Sequence, residues 1–372
     1  MPAKLPPKKL SDLHRKIVHK LRFYYQGHTN TGLVLLDRIR DFIAQISFSL
    51  ASGHLKRLPK TSLETYVLNT CSLSPVLPSI SHWADWSLHR QGFHGNLNIT
   101  PGVVFVKADF DYIETFYKRY LPRIGSDSRF VLVTGDSDAT IPLQVDKRFP
   151  GNAEHQLSLL RSLHDDPRIL RWYAQNIDTA WPKFEPIPLG CWELDGTKLL
   201  RFALGQERLT SLYSRPLKAF CANRIRPGEQ WELRRIVESR ALNEWSKHVD
   251  YFHAVPPEEF FSVISGYPLV MCVGGGGLDP APKAWTSLLA GSIPIIERNA
   301  TTLAYQDLPV VFIDSWATFE LSQETMLKWI GERERFFSDP HLRKQVLRQL
   351  SIGHWLQKIR HTVSAATSCQ AR

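Results

Sequence analysis

The chain lacks the features that mark several common classes of protein. Its five cysteines are odd in number, widely spaced and free of any Cys-X-X-Cys pair. This pattern argues against a disulfide scaffold or a zinc site and favours a reducing compartment. No apolar run is long enough for a signal peptide or a membrane span, because the best candidate, residues 31–50, is interrupted by four charged residues. We therefore expect a cytoplasmic protein, either soluble or peripheral to a membrane.

Patterns typical of nucleic-acid binding, such as RNP, zinc-finger and helix-turn-helix motifs, are missing as well. Positive charge, in contrast, is abundant and lies mostly at one end. Residues 1–60 hold twelve Lys and Arg against three Asp, so they carry +9 of the formal net charge of +10. Such a segment either binds an anionic surface or presents a solvated charged face. We predict a basic helical N-terminal extension over residues 1–60, suited to peripheral contact with an anionic membrane, and expect no nucleic-acid partner.

The rest of the chain alternates between short β-branched runs and helical periods. With 372 residues and 43% hydrophobic content, it is longer than a single core usually grows. The βα alternation predicts parallel sheets covered by helices. We predict α/β domains over residues 61–205 and 206–340 and a C-terminal helix over 341–372. The clearest strands are predicted at residues 103–106, 130–134, 169–174, 184–189, 268–273, 293–296 and 310–313.

Four consecutive glycines separate a predicted strand from a predicted helix: Gly274, Gly275, Gly276 and Gly277. Without side chains in the way, their backbone N–H groups can face an anion, and the helix N-terminus adds partial positive charge. The spacing to Lys283 matches neither the dinucleotide pattern nor the P-loop. Two alternatives stay open, a plain turn for the glycines and an exposed helix position for Lys283.

Two carboxylates follow the strand predicted at residues 130–134. Asp136 and Asp138 thus lie past the carboxyl end of a parallel strand, where ligands of open α/β sheets bind, and either can act as a general base. A turn-capping role for Asp136 is an equal alternative. His94 lies in a stretch rich in His and Trp that suits an acceptor pocket, although loop histidines are commonly structural.

The segment downstream of the glycines makes the pattern more specific. It resembles the exostosin-like glycosyltransferases and their bacterial, algal and viral relatives of the GT-B type. These proteins show a glycine-containing loop, a Leu-Asp pair, a basic residue, an aromatic residue followed by Glu, a GxIPI strand, and DLPVV followed by Trp. The matching positions are residues 274–277, 278–279, 283, 285, 291–295, 307–311 and 316. Residues 171–178 and 186–190 also resemble the end of the family's first domain, so the resemblance covers roughly residues 100–335.

The resemblance implies a GT-B-like fold, in which two Rossmann-like domains face each other across a cleft. It implies a hexosyl- or pentosyltransferase that moves a sugar from a UDP- or GDP-linked donor, held by residues 206–340, to a glycan, glycolipid or other hydroxyl acceptor, held by residues 61–205. Inversion is favoured, with Asp136 or Asp138 as base, His94 beside the acceptor, and no metal or other cofactor.

Donor binding is assigned by the same resemblance to the four glycines and to cleft-facing positions of the second domain. The further donor residues are Asp279, Lys283, Thr286, Lys218 and Arg224. Thr286 departs from the family, which usually has a Glu there that holds the donor ribose. A hydroxyl can also hydrogen-bond ribose, but a carboxylate accepts such bonds more strongly.

Two other classes of function stay open. A metal-dependent transferase of the GT-A type would use Asp136 and Asp138 to hold a divalent cation and the diphosphate. A non-catalytic protein would use residues 1–60 to bind nucleic acid or a membrane surface.

Overall fold

The structure, a computed structural model, describes residues 30–69, 79–191, 194–205 and 209–370. The first part of the predicted basic extension, residues 1–29, lies outside the described residues. From residue 30 the chain forms helix α1 (Asn30–Leu55) and then the short helices α2 (Lys60–Leu63) and α3 (Ile80–Trp83). Within the described ranges, no helix combines the length and the apolar character needed to cross a membrane.

The first sheet has six strands in the order β2-β1-β3-β4-β5-β6, and all neighbours are parallel except β1 and β2. The strands are β1 (Trp86–His89), β2 (Gly92–His94), β3 (Val103–Lys107), β4 (Phe130–Gly135), β5 (Ile169–Ala174) and β6 (Phe184–Pro186). Every residue of β3 and β4 is buried. Their continuous apolar runs fit a parallel sheet that is covered on both faces.

The two faces of this sheet contribute to different apolar cores. In β3, Val104 and Val106 pack into a core beneath helices α4 (Phe110–Thr115) and α5 (Glu154–Asp165). Val103 and Phe105 point the other way, into a larger core that continues into the second sheet. This alternation follows from the two-residue period of a strand.

The second sheet has five parallel strands in the order β11-β10-β9-β7-β8. They are β7 (Ala219–Cys221), β8 (Val249–Tyr251), β9 (Leu269–Met271), β10 (Ile293–Glu297) and β11 (Val311–Ile313). The remaining helices are α6 (Leu194–Gly205), α7 (Glu232–Leu242), α8 (Pro257–Ser265), α9 (Lys283–Ala290), α10 (Gln323–Arg333), α11 (Arg335–Ser338), α12 (Pro340–Gln349) and α13 (Ile352–Gln370). The predicted α/β class with parallel sheets is therefore confirmed.

Helix α9 places the glycine segment against the second sheet. The helix is buried from its second residue to its last, and it ends at Gly291, whose φ of 77° lies in the left-handed region that favours glycine. Helix α13 then returns to the first sheet. The hydroxyl groups of Tyr173 and Thr362 lie 2.9 Å apart, and Lys358 pairs with Glu185 at 2.9 Å. The last helix thus ties the end of the chain to the first sheet.

Candidate functional site

The carboxyl ends of the two sheets face each other. The segments that follow β4 and β9 approach so closely that a Cβ atom added to Gly276 would lie 2.5 Å from Oδ2 of Asp138. Just after β5, Oδ1 of Asn176 accepts hydrogen bonds from the backbone N–H groups of Leu278 (2.9 Å) and Asp279 (3.1 Å). Because ligands of open α/β sheets bind at the carboxyl ends of strands, the region around these segments is the candidate site.

Asp136 is the most unusual carboxyl group of this region. Its backbone has a φ of 60°, and its N–H donates to Oε1 of Gln175 at 3.1 Å. Its side-chain atom Oδ2 is buried and has no hydrogen-bond partner among the described residues. Burial raises the pKa of Asp136 to about 7, against the opposing effect of the Lys107 and Arg90 cations and with a smaller upward effect of Asp109. A carboxyl group with this pKa can take up a proton near neutral pH.

A buried cation lies close to Asp136. Lys107 is only 2% exposed, ends strand β3 and forms an ion pair with Asp109. Asp109 also accepts a hydrogen bond from the hydroxyl of Ser137, whose oxygen accepts from the N–H of Ala139 at 3.1 Å. These contacts hold the turn that carries Asp136 and keep a positive charge near its carboxylate.

Asp138 has a different environment. Its exposed side chain accepts a hydrogen bond at Oδ2 from Nη2 of Arg148 at 2.8 Å. Arg148 also donates to the buried Asp146, through Nε at 3.0 Å and through Nη2 at 2.6 Å. Asp138 is therefore a partner of Arg148. Of the two predicted bases, only Asp136 keeps a buried oxygen without a partner in the described chain.

The space beside the glycines is filled by side chains of the protein itself. A Cβ atom on Gly275 would lie 2.5 Å from Nη2 of Arg234, and one on Gly277 would overlap the amide group of Asn176. Gln230 covers the same loop, since its Nε2 donates to the carbonyl oxygen of Gly275 at 2.9 Å. The glycines thus allow these side chains to approach the loop, and a diphosphate that bound here would have to displace them.

Lys283 reaches across the carboxyl ends of β7 and β9. Its ammonium group donates to the carbonyl oxygen of Ala222, to Oδ1 of Asn223 at 3.0 Å and to the carbonyl oxygen of Met271 at 3.4 Å. Burial lowers the pKa of Lys283. Its charge is hydrogen-bonded, but no described carboxylate pairs with it.

A half-buried cation, Arg234, lies beside the glycines. Arg234 donates from Nε to the carbonyl oxygen of Gly274 at 2.9 Å and from Nη1 to that of Arg224 at 2.8 Å. Its guanidinium lies 5.0 Å from the ring centroid of Trp231, and that of Arg226 lies 5.4 Å from the same ring. Burial, and to a smaller extent the Arg226 charge, lowers the pKa of Arg234 to about 10.

These cations form a cluster without a counter-ion. Within the part of the chain that the structure describes, none of its members forms an ion pair: Arg226, Arg234 and Lys283. The predicted donor residue Arg224 contacts this cluster through its carbonyl oxygen, and its side chain is exposed. Guanidinium and ammonium groups bind phosphate through charge-assisted hydrogen bonds. The cluster can therefore bind an anion at the carboxyl end of the second sheet, and we call it the cationic cluster.

No protein-family model matches this chain, and no curated protein does either. The chemistry of the site therefore has to be inferred from its own residues.

The contacts of Asp279 indicate a structural role. It is buried, and its carboxylate accepts hydrogen bonds from the N–H of Leu189 at 2.7 Å, the N–H of Ala281 at 2.8 Å and the hydroxyl of Tyr305 at 2.6 Å. Burial raises the pKa of Asp279. With its oxygens used in this way, Asp279 joins the glycine segment to the chain that leaves the first sheet.

The structure places three other predicted residues away from the cationic cluster. Lys218 precedes β7 and pairs with Asp250 at 2.5 Å, so it lies at the amino end of the second sheet. The hydroxyl of Thr286 is turned back onto its own helix, where it donates to the carbonyl oxygen of Pro282 at 2.9 Å. Neither side chain is brought together with Lys283.

His94 is the third of these residues. It pairs with Ser87 in the outer strands of the first sheet, and its ring lies 4.9 Å from that of His89 and 4.4 Å from that of Phe48. Burial lowers the pKa of His94. The structure thus places it in an aromatic cluster beneath helix α1, and among the described residues no contact joins it to Asp136.

Several residues of the site are not predicted from the sequence: Lys107, Arg148, Asn176, Arg226, Gln230 and Arg234. Asn176 lies in the stretch 171–178 that resembles the family's first domain, but the others lie in segments with no motif of their own, and only the facing of the two sheets brings them together. The clearest local signal is the density of arginines around Trp231, at positions 224, 226, 234 and 235.

Proposed function

We propose that this protein is a glycosyltransferase with a GT-B-like arrangement, which moves a sugar from a nucleotide-sugar donor to a hydroxyl group of a glycan or glycolipid. One observation supports the proposal above others. A cluster of cations without counter-ions and a buried carboxyl group with a pKa of about 7 lie at the facing carboxyl ends of two parallel sheets. A cytoplasmic location belongs to the same proposal, supported by the absence of paired cysteine spacings.

The cationic cluster is the donor side of this proposal. When the sugar leaves, negative charge develops on the diphosphate, and preorganised cations stabilise that charge in a site with little water. Lys283 and Arg234 are held by backbone carbonyl oxygens, so they are oriented before the donor arrives. Donor entry requires the two sheets to separate, so that Asn176 gives up its hydrogen bonds to Leu278 and Asp279 and Arg148 leaves the space beside Gly276.

In this proposal, Asp136 is the general base that acts on the acceptor. Its carboxylate takes the proton of the acceptor hydroxyl while the hydroxyl oxygen forms a bond to the anomeric carbon. The bond between that carbon and the diphosphate oxygen breaks, and the nucleotide leaves with the electron pair. Attack on the side opposite the leaving group inverts the configuration. The Lys107 cation stabilises Asp136 in its charged state before the proton is taken up.

Calorimetric titration of the full chain with UDP and with GDP tests the donor site. We expect one of them to bind, and we expect Arg234→Gln to weaken binding by about tenfold or more, since a hydrogen bond to a charged group contributes about 1.5–3 kcal/mol. Lys218→Gln is the matched control, because it removes the same charge at the opposite end of the same sheet.

Binding of neither nucleotide would contradict the proposal. So would equal affinity of the folded Arg234→Gln variant and the wild type. If Lys218→Gln lowered the nucleotide affinity more than Arg234→Gln, the donor site would lie outside the cationic cluster.

A further inference from the structure

Helix α1 has an apolar stripe on its exposed side. Its members recur at intervals of three and four residues and are exposed to different extents: Ile39 (36%), Phe42 (62%), Ile46 (46%) and Leu50 (58%). At 3.6 residues per turn they fall within an arc of about 80° around the helix axis. Apolar residues exposed singly need no explanation, but a row along one helix face is a typical interaction surface.

The opposite side of α1 is the one that packs on the protein. Phe48 is 2% exposed and Leu55 is 8% exposed. The ring of Phe48 has centroid distances of 4.3, 4.6 and 4.4 Å to three imidazole rings, those of His82, His89 and His94. Since the helix is anchored by this side, its apolar stripe faces away from the first sheet.

Basic residues follow the stripe directly. Lys56, Arg57 and Lys60 are all exposed at the end of α1 and the start of α2. Among described residues, only Lys60 of these three forms an ion pair, a long one of 3.8 Å to Glu64. Together with the rest of residues 1–60, they make this end of the chain strongly positive, at +9. An apolar stripe beside basic residues complements a negatively charged lipid surface.

We propose that α1 binds the surface of an anionic membrane, with its apolar stripe at the boundary between headgroups and acyl chains and its basic neighbours on the lipid phosphates. Charge favours this partner over a second copy of the chain, because pairing through the stripe would bring two segments of +9 together. The stripe is narrow and the other side of α1 packs on the protein, so the helix lies along the membrane surface. The proposal holds whether or not the protein transfers sugar.

Co-sedimentation of the full chain with lipid vesicles tests whether α1 binds an anionic membrane. We expect binding to phosphatidylcholine vesicles that contain phosphatidylserine, weaker binding without phosphatidylserine, and a decrease as salt is raised. Replacing Phe42→Ser and Ile46→Ser together should lower binding by at least about tenfold, because two large apolar side chains no longer enter the lipid. Lys56→Gln with Arg57→Gln should lower binding to the charged vesicles by about fivefold per residue.

The matched control is Leu242→Ser with Leu327→Ser, which removes two comparably exposed side chains (50% and 42%) from helices α7 and α10. We expect it to bind vesicles like the wild type. Unchanged binding of the Phe42/Ile46 variant overturns the proposal. If that variant instead breaks a dimer, the stripe binds a second copy, and if it only lowers the unfolding temperature, residues 1–29 cover the stripe.

Discussion

Asp136 is half-buried with one buried carboxyl oxygen, yet its carboxyl group ionises near neutral pH. Its left-handed backbone and its desolvated carboxyl group both oppose folding, and such features persist only where the surrounding structure imposes them. The contacts of Lys107, Asp109 and Ser137 provide that support. A residue that destabilises the fold and lies at the carboxyl end of a parallel strand is more readily explained by a catalytic role than by a structural one.

We predict that Asp136→Asn slows sugar transfer by at least about a hundredfold, the lower end of what a positioned base contributes. Asp138→Asn serves as the control and should stay within a few-fold of the wild type, since Asp138 is engaged with Arg148. The wild-type rate should rise with pH through about 7, where Asp136 loses its proton. Initial rates measured against pH check all three expectations. If Asp138→Asn were slower than Asp136→Asn, Asp138 and not Asp136 would be the catalytic base.

Asp136→Asn should also stabilise the fold. The pKa of Asp136 rises from 3.8 to about 7 on folding, so the folded state binds more protons between these values and the free energy of unfolding falls as pH rises through this window. An amide has no such titration. We expect Asp136→Asn to raise the free energy of unfolding by on the order of 2 kcal/mol at slightly alkaline pH and to change it little in acid. Urea denaturation at the two pH values measures the difference.

At the scale of elements, the glycine segment joins strand β9 to helix α9 and contacts the segments that follow β4 and β5 of the first sheet. Its glycines are not equivalent. Beside Gly274 the nearest atom to an added Cβ is 3.9 Å away, whereas beside Gly277 the Cβ would overlap Asn176. Asn176 cannot easily yield, because it accepts from Leu278 and Asp279 and donates to the carbonyl oxygen of Ser137 at 3.1 Å.

We therefore predict that Gly277→Ala lowers the free energy of unfolding by about 1–3 kcal/mol, the usual cost of overpacking. Gly274→Ala should change it by less than about 0.5 kcal/mol, as substitutions in open space do. Chemical denaturation of both variants gives the comparison. Equal effects would mean that Asn176 moves aside for the added methyl group at little cost.

At the scale of the whole molecule, the two sheets share one large core, helix α13 packs on the first sheet, and helix α1 is held by a cluster of histidines. Burial, and then the charges of His94 and His82, lowers the pKa of His89 to about 3. Burial also lowers the pKa of His94. The packing of α1 on the first sheet therefore favours neutral imidazoles at His89 and His94, beside Phe48.

We predict acid sensitivity from this arrangement. Because the pKa of His89 falls from 6.5 to about 3 on folding, the unfolded state binds more protons in that window, and stability is lost as pH falls through it. His89→Phe keeps a flat apolar ring and removes the titration, so its free energy of unfolding should depend less steeply on pH, by up to about 1.4 kcal/mol per pH unit. If the free energy of unfolding changed with pH equally steeply in the wild type and in His89→Phe, the titration of His89 would not explain the acid sensitivity.

The sequence by itself determines the class of the fold and the positions of its most buried strands. The run 169–174 predicts strand β5 as found, and the runs at 103 and 130 predict β3 and β4 to within one residue, because strands buried on both faces must be continuously apolar. Strands β1, β2 and β8 are not predicted, since their His, Gly, Asp and Tyr residues carry no such pattern.

The tertiary structure alone decided what each candidate residue does. A strand end predicts that Asp136 and Asp138 lie near a ligand, but only the packing of Lys107 and Arg148 separates a buried carboxyl group from an ion-paired one. Four glycines predict a close approach without saying what approaches, and here Arg234 and Asn176 do so. Periodicity and capping are local properties that neighbours in the chain carry, whereas burial and charge balance depend on residues brought together from distant segments.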